Sequence, residues 1–402
     1  MRALTLSWEY PPVIEGGLAR HVRKLSEQLV AQGVEVHVVT RGEASLAARE
    51  ERHGVIVHRV GWAGSGSFPR DMDAFLAWVA QMNAVMSELS SELVDTLRPD
   101  LVHSHDWLVA DAARATARRA ARPWLVTVHA TEYGRHQGWV DKPPQSIIHG
   151  AERRMVRDAD HVITCSRYMR SHVAHVFGVP APRITAMQNG IDVGDLEPVA
   201  DDLQALRARF ARPEEQLVLL VGRLVYEKGF HLALDALAPV IRRGGNVRFV
   251  VAGTGTAEAE LRRQAWRLGL HRAGMFLGWV GDDMLHSLYR IADLCIVPSI
   301  YEPFGIVALE AMASGCLCVV ADTGGLREVV PGDGTVGLRF PSRDASALRE
   351  ILERVLGDDA LRAQLVAEAR EHVLRFDWAQ VARETRAVYA RIAAVAPAEA
   401  SR

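Results

Sequence analysis

Two segments of the chain place charged side chains directly after apolar, strand-like runs. Arg223 and Lys228 follow the run Leu217 to Val221, and Glu302 and Glu310 follow another such run. Residues that follow a strand of a parallel sheet lie at its carboxyl edge, where α/β folds bind ligands. Two cations can neutralise a diphosphate, and two carboxylates can accept hydrogen bonds from sugar hydroxyls. These are the groups that a site for a nucleotide-activated sugar needs.

Glycine pairs mark further turns between strands and helices. Gly16 and Gly17 separate the first predicted strand from the first predicted helix, where backbone amides can meet a phosphate. A plain strand-to-helix turn explains this pair equally well, and Gly324 and Gly325 form a similar pair in the second half. The Gly253-Thr-Gly turn lacks the third glycine of a dinucleotide fingerprint, so a tight turn is the better interpretation.

Histidines stand at the ends of two consecutive predicted strands. His105 and Asp106 end one strand, and His129 ends the next, so these side chains can converge on one pocket. Hydrogen bonds to sugar hydroxyls and ordinary structural roles are both open, whereas the spacing matches no standard metal-ligand pattern. Asp71 and Asp73 resemble a metal clasp, but they precede a long amphipathic helix, where an N-cap is the simpler explanation. We therefore predict no metal site.

Composition sets the outer limits of the function. A chain of 402 residues is too long for one ordinary core and indicates two domains. The net charge of −2 shows no basic excess, so neither nucleic acid nor an anionic membrane is an expected partner. No signal peptide and no apolar run of roughly 20 residues is present, which favours a cytoplasmic location. The four cysteines lie in apolar runs and are expected to be buried thiols without a disulfide.

The alternation of strand-like and helix-like segments predicts an α/β fold with a mainly parallel, doubly wound sheet in each domain. The apolar rhythm fades between Asp192 and Gln216, where we place the linker. Strands are expected at 3–8, 34–40, 55–60, 101–105, 124–129, 161–165 and 184–188 before it, and at 217–221, 247–252, 275–277, 294–297 and 317–321 after it. A last helix is predicted from Trp378 to about Ala393.

Seven motifs together resemble a known family, the retaining glycosyltransferases of the GT-B fold, family 4, and within it the bacterial glycogen-synthase-like α-glucosyltransferases. They are the segments 7–12 (SWEYPP), 16–18 (GGL), 103–107 (HSHDW), 127–132 (TVHATE) and 189–192 (NGID), Gly222 and Arg223 with Lys228, and the pair Glu302 and Glu310. The resemblance covers nearly the whole chain. It implies two Rossmann-like domains facing a central cleft: an acceptor domain, 1–195, with a returning C-terminal helix, 377–394, and a nucleotide-sugar donor domain, 215–376.

The resemblance also implies a role for each site residue. The catalytic set is Glu302 beside the sugar, His129 on its 6-hydroxyl, and Arg223 and Lys228 on the diphosphate. The donor-binding set adds Gly16 and Gly17 near the diphosphate, Val280 at the base, Phe304, Gly305 and Ile306 with their amides near the sugar, and Glu310 on the ribose. His105 and Asp106 face the acceptor. No metal or other cofactor is implied, because the two cations neutralise the leaving group.

Several alternatives remain open at this level. Retention is compatible with same-face displacement or with Glu302 as a covalent nucleophile. Glu15 stands where synthases that use ADP-glucose commonly have lysine, so the donor is UDP-glucose, ADP-glucose or another nucleotide hexose, and the acceptor is a glucan or glucan-like oligosaccharide. The rival functions are transfer of mannose or another hexose to a lipid or small molecule, a nucleotide-sugar epimerase, and a non-catalytic carbohydrate- or NAD-binding module. The oligomeric state is not predicted.

Overall fold

The computed structural model describes residues 1–65, 69, 71–197, 199–244 and 246–394. The chain divides into two compact units, one formed by Met1–Gly190 with the segment from Trp378, and the other by Ile191–Asp377. Residues 191–214, which the sequence assigns mainly to a linker, lie in the second unit. They are tied to it by Arg207, whose guanidinium donates to the Asp293 carboxylate at 2.7 Å.

The first unit contains an eight-stranded sheet. Its strands are β1 (Arg2–Leu6), β2 (Glu35–Arg41), β3 (Arg49–Arg52), β4 (Val55–Val60), β5 (Leu101–His105), β6 (Trp124–Val128), β7 (His161–Thr164) and β8 (Ile184–Ala186). Its helices are α1 (Gly17–Ala31), α2 (Met72–Leu97), α3 (Ala110–Ala120), α4 (Glu132–Arg135), α5 (Gln145–Asp158), α6 (Arg167–Phe177) and, from the end of the chain, α15 (Trp378–Ala394).

The strand order of this sheet is β3-β4-β2-β1-β5-β6-β7-β8. β3 pairs antiparallel with β4, and the other pairs are parallel. The chain therefore reverses its direction of progress across the sheet between β1 and β5, the place where ligands bind in open α/β sheets. The helix α15 completes the core of this unit, because Trp378 and Tyr389 are buried with Val22 and Leu25 of α1.

The second unit contains a six-stranded sheet. Its strands are β9 (Gln216–Val221), β10 (Val247–Ala252), β11 (Gly274–Gly278), β12 (Leu294–Val297), β13 (Leu317–Asp322) and β14 (Leu338–Pro341). Its helices are α7 (Leu203–Ala208), α8 (Phe230–Arg242), α9 (Glu258–Arg267), α10 (Asp282–Ile291), α11 (Ile306–Ala313), α12 (Leu326–Val329), α13 (Ala345–Leu356) and α14 (Asp359–Val373).

All pairs in this second sheet are parallel, in the order β11-β10-β9-β12-β13-β14. Its change of direction lies between β9 and β12, so the residues that follow these two strands flank the expected ligand position. The four central strands β10, β9, β12 and β13 are buried almost throughout, and Val218, Phe249 and Val319 belong to one continuous core. Burial on both faces explains why their sequences are near-continuous apolar runs.

The α/β class and the parallel sheets are confirmed. Two strands of the described residues, β3 and β14, were not predicted from the sequence. β3 reads Arg-Glu-Glu-Arg and has no buried residue, so no hydrophobic alternation identifies it. β14 is a four-residue edge strand that contains an arginine and ends in proline. The N-cap prediction is confirmed, because the Asp71 carboxylate accepts from the Ala74 amide at 3.0 Å. The four cysteines are free and buried, as predicted.

Candidate active site

The loop after β9 carries Lys228 back toward the end of β12. Residues Tyr226–Lys228 form a 3-10 turn that ends at Gly229, whose φ is +67°. A Cβ at Gly229 would lie 2.0 Å from the Pro298 carbonyl oxygen, so only glycine permits this approach of the two loops. The amide of Ile300 donates to the Glu227 carbonyl at 2.8 Å and fastens the loops together.

This approach pairs Lys228 with Glu302. The lysine Nζ donates to Glu302 Oε2 at 2.7 Å, and the Ser299 hydroxyl donates to the same oxygen at 3.0 Å. Both charged side chains are largely buried, with exposed fractions of 22% and 12%. Hydrogen bonds to charged groups that are sheltered from water are stronger than neutral ones, so the pair holds both groups in place.

Arg223 emerges from the same loop with a different environment. It follows β9 directly, its side chain is 58% exposed, and its guanidinium lies 3.8 Å from the Glu227 carboxylate. The Glu227 side chain is 11% exposed, but the arginine is solvated and the ion pair is long, so the arginine can turn toward a ligand at low cost. The second unit therefore presents one sheltered cation and one exposed cation after the same strand.

The predicted helix start near Gly305 is present at the beginning of α11. Gly305 caps the helix and Ile306 is its first residue. The first amides of a helix have no acceptor within the helix, so those of this segment suit an anionic or hydroxyl-rich ligand. A Cβ at Gly325 would lie 2.4 Å from Phe304 Cα. The second glycine pair thus serves close packing of the loop that carries Phe304.

Glu310 lies within α11 and is buried with only 6% of its surface exposed. Its Oε2 accepts from the Tyr289 hydroxyl at 3.0 Å. Burial and the neighbouring Glu310 carboxylate hold the Tyr289 pKa well above its usual range, so the tyrosine is a permanent donor. Tyr289 lies on α10 and gives no signal in the sequence beyond its place in an apolar helix.

Val280 follows β11 at the same carboxyl edge of the sheet. The strand β10 lies between β11 and β9, so two strand spacings, about 10 Å, separate Val280 from the loop of Arg223. Val280 is half-buried, and its neighbour Trp279 is 78% exposed. A backbone contact to a flat ring is compatible with this position, and the role remains a prediction.

In the first unit, Gly16 and Gly17 begin α1 as expected. The Glu9 carboxylate accepts from the Gly16 amide at 3.1 Å and also from the Glu15 amide. Burial raises the pKa of Glu9 to about 7, and the hydrogen bonds from the Glu15 and Gly16 amides only partly oppose this rise. A carboxyl group therefore occupies part of the helix start that a phosphate was expected to approach.

Glu15, the residue that departs from the ADP-glucose pattern, has a structural partner. Its carboxylate accepts from the Arg41 guanidinium, which is almost completely buried. Arg41 lies between the rings of Trp8 and Trp78, with Cζ 5.5 and 5.4 Å from their centroids. Because a buried arginine cannot lose its charge, Glu15 supplies the counter-charge that Arg41 requires.

His105 and His129 meet, as their place at neighbouring strand ends suggests. His105 Nδ1 lies 3.1 Å from His129 Nε2. The His129 amide donates to Asp106 Oδ1 at 2.8 Å, and Asp106 adopts φ +58°, which is uncommon for a residue other than glycine. Burial holds the pKa of His105 well below its usual value and lowers that of His129 to about 4, so both imidazoles are neutral near pH 7. Burial also raises the pKa of Asp106 to about 6.

The structure adds a third histidine that the motifs did not single out. His21 of α1 packs with its ring centroid 4.5 Å from that of His129 and 5.5 Å from that of His105. Its Nδ1 lies 3.0 Å from Asn189 Oδ1. Its position in the sequence could have identified it. His21 lies one turn before Leu25 on the apolar face of α1, where a polar residue is unusual.

The predicted residues thus form two groups, one in each unit. Lys228, Glu302 and the start of α11 lie together in the second unit, and His105, Asp106 and His129 lie together in the first. Each group lies at the carboxyl ends of strands beside a change of direction in its sheet. Cations and helix amides suit phosphate, and neutral imidazoles beside a carboxylate suit hydroxyl groups.

Comparison with known proteins now gives the family. Residues 204–372 match the model "Glycosyl transferases group 1", and residues 15–195 match "Glycosyltransferase Family 4". Over 402 aligned residues the chain is 38% identical to a glycogen synthase of Mycobacterium tuberculosis, with 97% of this chain and 94% of that protein covered. The chain belongs to glycosyltransferase family 4.

This glycosyltransferase is also similar to a second relative by sequence and to a solved structure by fold. It is 31% identical over 394 residues to a D-inositol 3-phosphate glycosyltransferase of Frankia alni, with 92% of each chain covered. The catalytic domain of starch synthase IV from Arabidopsis thaliana, solved with ADP and acarbose, matches with a TM-score of 0.79 and 21% identity, covering 98% of this chain and 99% of that one. The fold is GT-B. Among the described residues of this glycosyltransferase, no helix is long and apolar enough to cross a membrane.

Proposed function

We propose that this glycosyltransferase moves glucose, with retention, from a nucleotide-glucose donor to an α-1,4-glucan or a similar oligosaccharide. The observation that carries the proposal is the 2.7 Å contact between Lys228 and Glu302 after neighbouring strands, in a chain 38% identical to a glycogen synthase. The lysine offers positive charge to a diphosphate, and the glutamate offers an acceptor to sugar hydroxyls. The starch synthase likeness, with its bound ADP, also supports a nucleotide donor.

We favour same-face displacement for the transfer step. The bond between the glucose anomeric carbon and the diphosphate oxygen breaks, and the acceptor oxygen bonds to that carbon. The acceptor proton passes to the departing diphosphate oxygen. Arg223 and Lys228 stabilise the charge that appears on this oxygen, which is where fixed cations lower a barrier most. The bond from Lys228 makes Glu302 a weaker nucleophile, which disfavours the covalent route.

The remaining predicted roles follow from the same proposal. Glu310, oriented by Tyr289, binds the ribose, and the amides of Phe304, Gly305 and Ile306 bind near the diphosphate and the sugar. His129 bonds the 6-hydroxyl, and His105 and Asp106 act on the acceptor. Gly16 and Gly17 approach the diphosphate, and Val280 contacts the base. We propose that transfer needs no metal or other cofactor and takes place in the cytoplasm.

Hexosyl transfer to a small phosphorylated acceptor is the second candidate. Its support is the 31% identity to an enzyme named for D-inositol 3-phosphate. The larger identity to a glycogen synthase favours the glucan. Both candidates use a nucleotide-sugar donor, so the acceptor and the hexose that is transferred distinguish them.

One experiment tests donor, acceptor and metal requirement together. The purified chain is incubated in EDTA with UDP-glucose, ADP-glucose or GDP-mannose, each with maltooligosaccharides, with inositol 3-phosphate or without acceptor, and products are weighed by mass spectrometry. We expect maltooligosaccharides lengthened by single hexoses and cleavable by an α-1,4-glucosidase. Product on inositol phosphate alone would establish the second candidate. Conversion of the donor, without acceptor, into an isomer of the same mass that chromatography separates from it would establish an epimerase. Activity that returns only with added metal would refute the metal-free proposal.

A further inference from the structure

Three histidines of the first unit converge from separate segments, and we call His21, His105 and His129 the histidine cluster. One ligand nitrogen from each lies within 4.8 Å of the other two. The closest pair, His105 Nδ1 and His129 Nε2, is 3.1 Å apart. Two imidazole nitrogens bound to one zinc ion at 2.0–2.1 Å in tetrahedral geometry lie roughly 3.3 Å apart. The spacing of this pair therefore already suits a shared metal ion.

The third member is oriented in the way that metal-binding histidines are. His21 Nδ1 faces Asn189 Oδ1 at 3.0 Å, and because an amide oxygen only accepts, Nδ1 carries the ring proton. The lone pair of His21 is then on Nε2. This atom is buried and has no hydrogen-bond partner within the described ranges of the chain. A second contact that fixes the tautomer of a ligand histidine is the usual companion of a metal site.

Neighbouring side chains pack against the histidine cluster, and only the His129 side of the cluster is partly exposed. Trp378 covers His21 at a ring distance of 5.2 Å, and His103 packs 4.4 Å from His105. His103 is itself fixed by hydrogen bonds of 2.7 Å to Tyr389 and 2.8 Å to Thr127. Of the three cluster members His21 and His105 are buried, whereas His129 is partly exposed. An ion can therefore reach the cluster past His129.

We propose that the histidine cluster binds one divalent transition-metal ion of the zinc type. The ligands are His21 Nε2, His105 Nδ1 and His129 Nε2. Three imidazoles with a fourth position open to water or a hydroxyl group match the preference of zinc, whereas magnesium and calcium prefer oxygen. On binding, the proton shared between His105 and His129 moves to the outer nitrogen of its own ring, so no side chain changes its charge.

Binding has a consequence for the enzyme that rests on the proposed function. If His129 bonds a sugar hydroxyl, the metal and the sugar compete for the same nitrogen. The ion is then an inhibitor of transfer and not a cofactor, in agreement with the proposed metal-free reaction. Zinc is expected to raise the apparent KM for the donor more than it lowers kcat.

Metal titration of the full chain tests the site directly. Protein stripped with chelator and dialysed is titrated with Co2+, recording visible absorption, and with Zn2+ by calorimetry. We expect one equivalent to bind with a cobalt spectrum of nitrogen ligands. His21→Gln, His105→Gln and His129→Gln should each weaken binding at least tenfold. The exposed His271, outside the cluster, supplies the matched control His271→Gln, which should bind as the parent does.

A milder variant covers the case in which a buried histidine variant does not fold. Asn189→Ala removes only the acceptor of His21 Nδ1 and should weaken metal binding by about 10- to 100-fold, the usual effect of losing such a contact. Folding of every variant is checked by thermal unfolding. The proposal is overturned if the parent binds no metal, or if the cluster variants and Asn189→Ala bind as tightly as His271→Gln. Because these are binding measurements, they remain decisive even if no sugar transfer is found.

Discussion

Lys228 and Glu302, 74 positions apart in the chain, are joined by a hydrogen bond of 2.7 Å between Nζ and Oε2. The pair connects the loop after β9 with the loop after β12, on the two sides of the change of direction in the second sheet. The cation that we propose for the phosphate and the carboxylate that we propose for the sugar thus restrain each other before any ligand binds. This relationship makes the donor half of the proposal testable with single substitutions.

Lys228→Ala is expected to weaken donor binding. It removes a sheltered cation and leaves the Glu302 carboxylate to repel the diphosphate, so we expect the dissociation constant for the nucleoside diphosphate to rise about 10- to 100-fold. Calorimetric titration with UDP and ADP measures the change. Lys142→Ala, at an exposed lysine, controls for the loss of one positive charge. Affinity unchanged relative to this control would remove Lys228 from the donor site.

Arg223→Ala should also weaken donor binding, but without a loss of stability. The Arg223 side chain is 58% exposed and its ion pair with the Glu227 carboxylate is long, at 3.8 Å, so we expect its removal to cost the fold little. Thermal unfolding should therefore match the parent while the donor dissociation constant rises. If donor affinity stays the same in both Arg223→Ala and Lys228→Ala, the proposed leaving-group stabilisation is wrong.

Glu302→Gln should separate turnover from binding. The amide keeps the shape of the side chain and can still accept from Ser299, but it no longer carries the charge that balances Lys228. We expect kcat to fall by about 10²-fold or more, while the donor dissociation constant changes far less. Steady-state kinetics together with calorimetry measures both. Full turnover in this variant would exclude Glu302 from the mechanism.

Tyr289→Phe tests whether Glu310 is held in position. The substitution deletes the hydroxyl that donates to Glu310 Oε2 and leaves a buried carboxylate with one contact fewer. The free energy of unfolding should fall by about 1–3 kcal/mol, and the KM for the donor should rise with little change in kcat. Chemical denaturation and kinetics are the measurements. A KM equal to that of the parent would argue against the ribose role of Glu310.

Glu9 predicts a pH dependence of stability. Its pKa is raised by burial from 4.5 to about 7, so between these values the folded chain binds a proton that the unfolded chain has released. The contribution of this group is fully present below pH 4.5 and is lost as the pH rises through 7. The shift corresponds to about 3 kcal/mol. Glu9→Gln should abolish this part of the pH profile, measured by denaturation between pH 5 and about 8. An unchanged profile would contradict the buried, protonated carboxyl.

Glu15→Lys examines the departure from the ADP-glucose pattern. A lysine at this position would face the buried Arg41 guanidinium, which would lose its counter-charge and gain a like charge. Because Glu15 is 39% exposed, the pair is only partly buried, and we expect a loss of about 1–3 kcal/mol in the free energy of unfolding and no new preference for ADP-glucose. Glu15→Gln removes the negative charge without adding a positive one, so its free energy of unfolding should lie between those of the parent and of Glu15→Lys. A stable variant that has switched its donor nucleotide would show that Glu15 alone determines specificity.

In the second unit, the positions of the strands and of the residues that follow them could be predicted from the spacing of apolar residues. An apolar run fixes a buried parallel strand, and residues just beyond it must lie at the carboxyl edge. Lys228 and Glu302 were therefore predictable as residues of the same sheet edge, although their direct hydrogen bond was not. The start of α11 at Gly305 and Ile306 was predictable for a similar reason, because the periodicity changes there from strand to helix.

The sequence by itself determined the α/β class, the buried strands and the family motifs, because hydrophobic periodicity and residue spacing are local properties of the chain. Only the tertiary structure decided that His21 joins His105 and His129, that Asn189 orients His21, and that Arg41 requires Glu15. Each of these contacts joins segments that are distant in sequence. Partners of this kind are chosen by packing and by the cost of burying unpaired polar groups, and neither is written in the spacing of residues along one strand or helix.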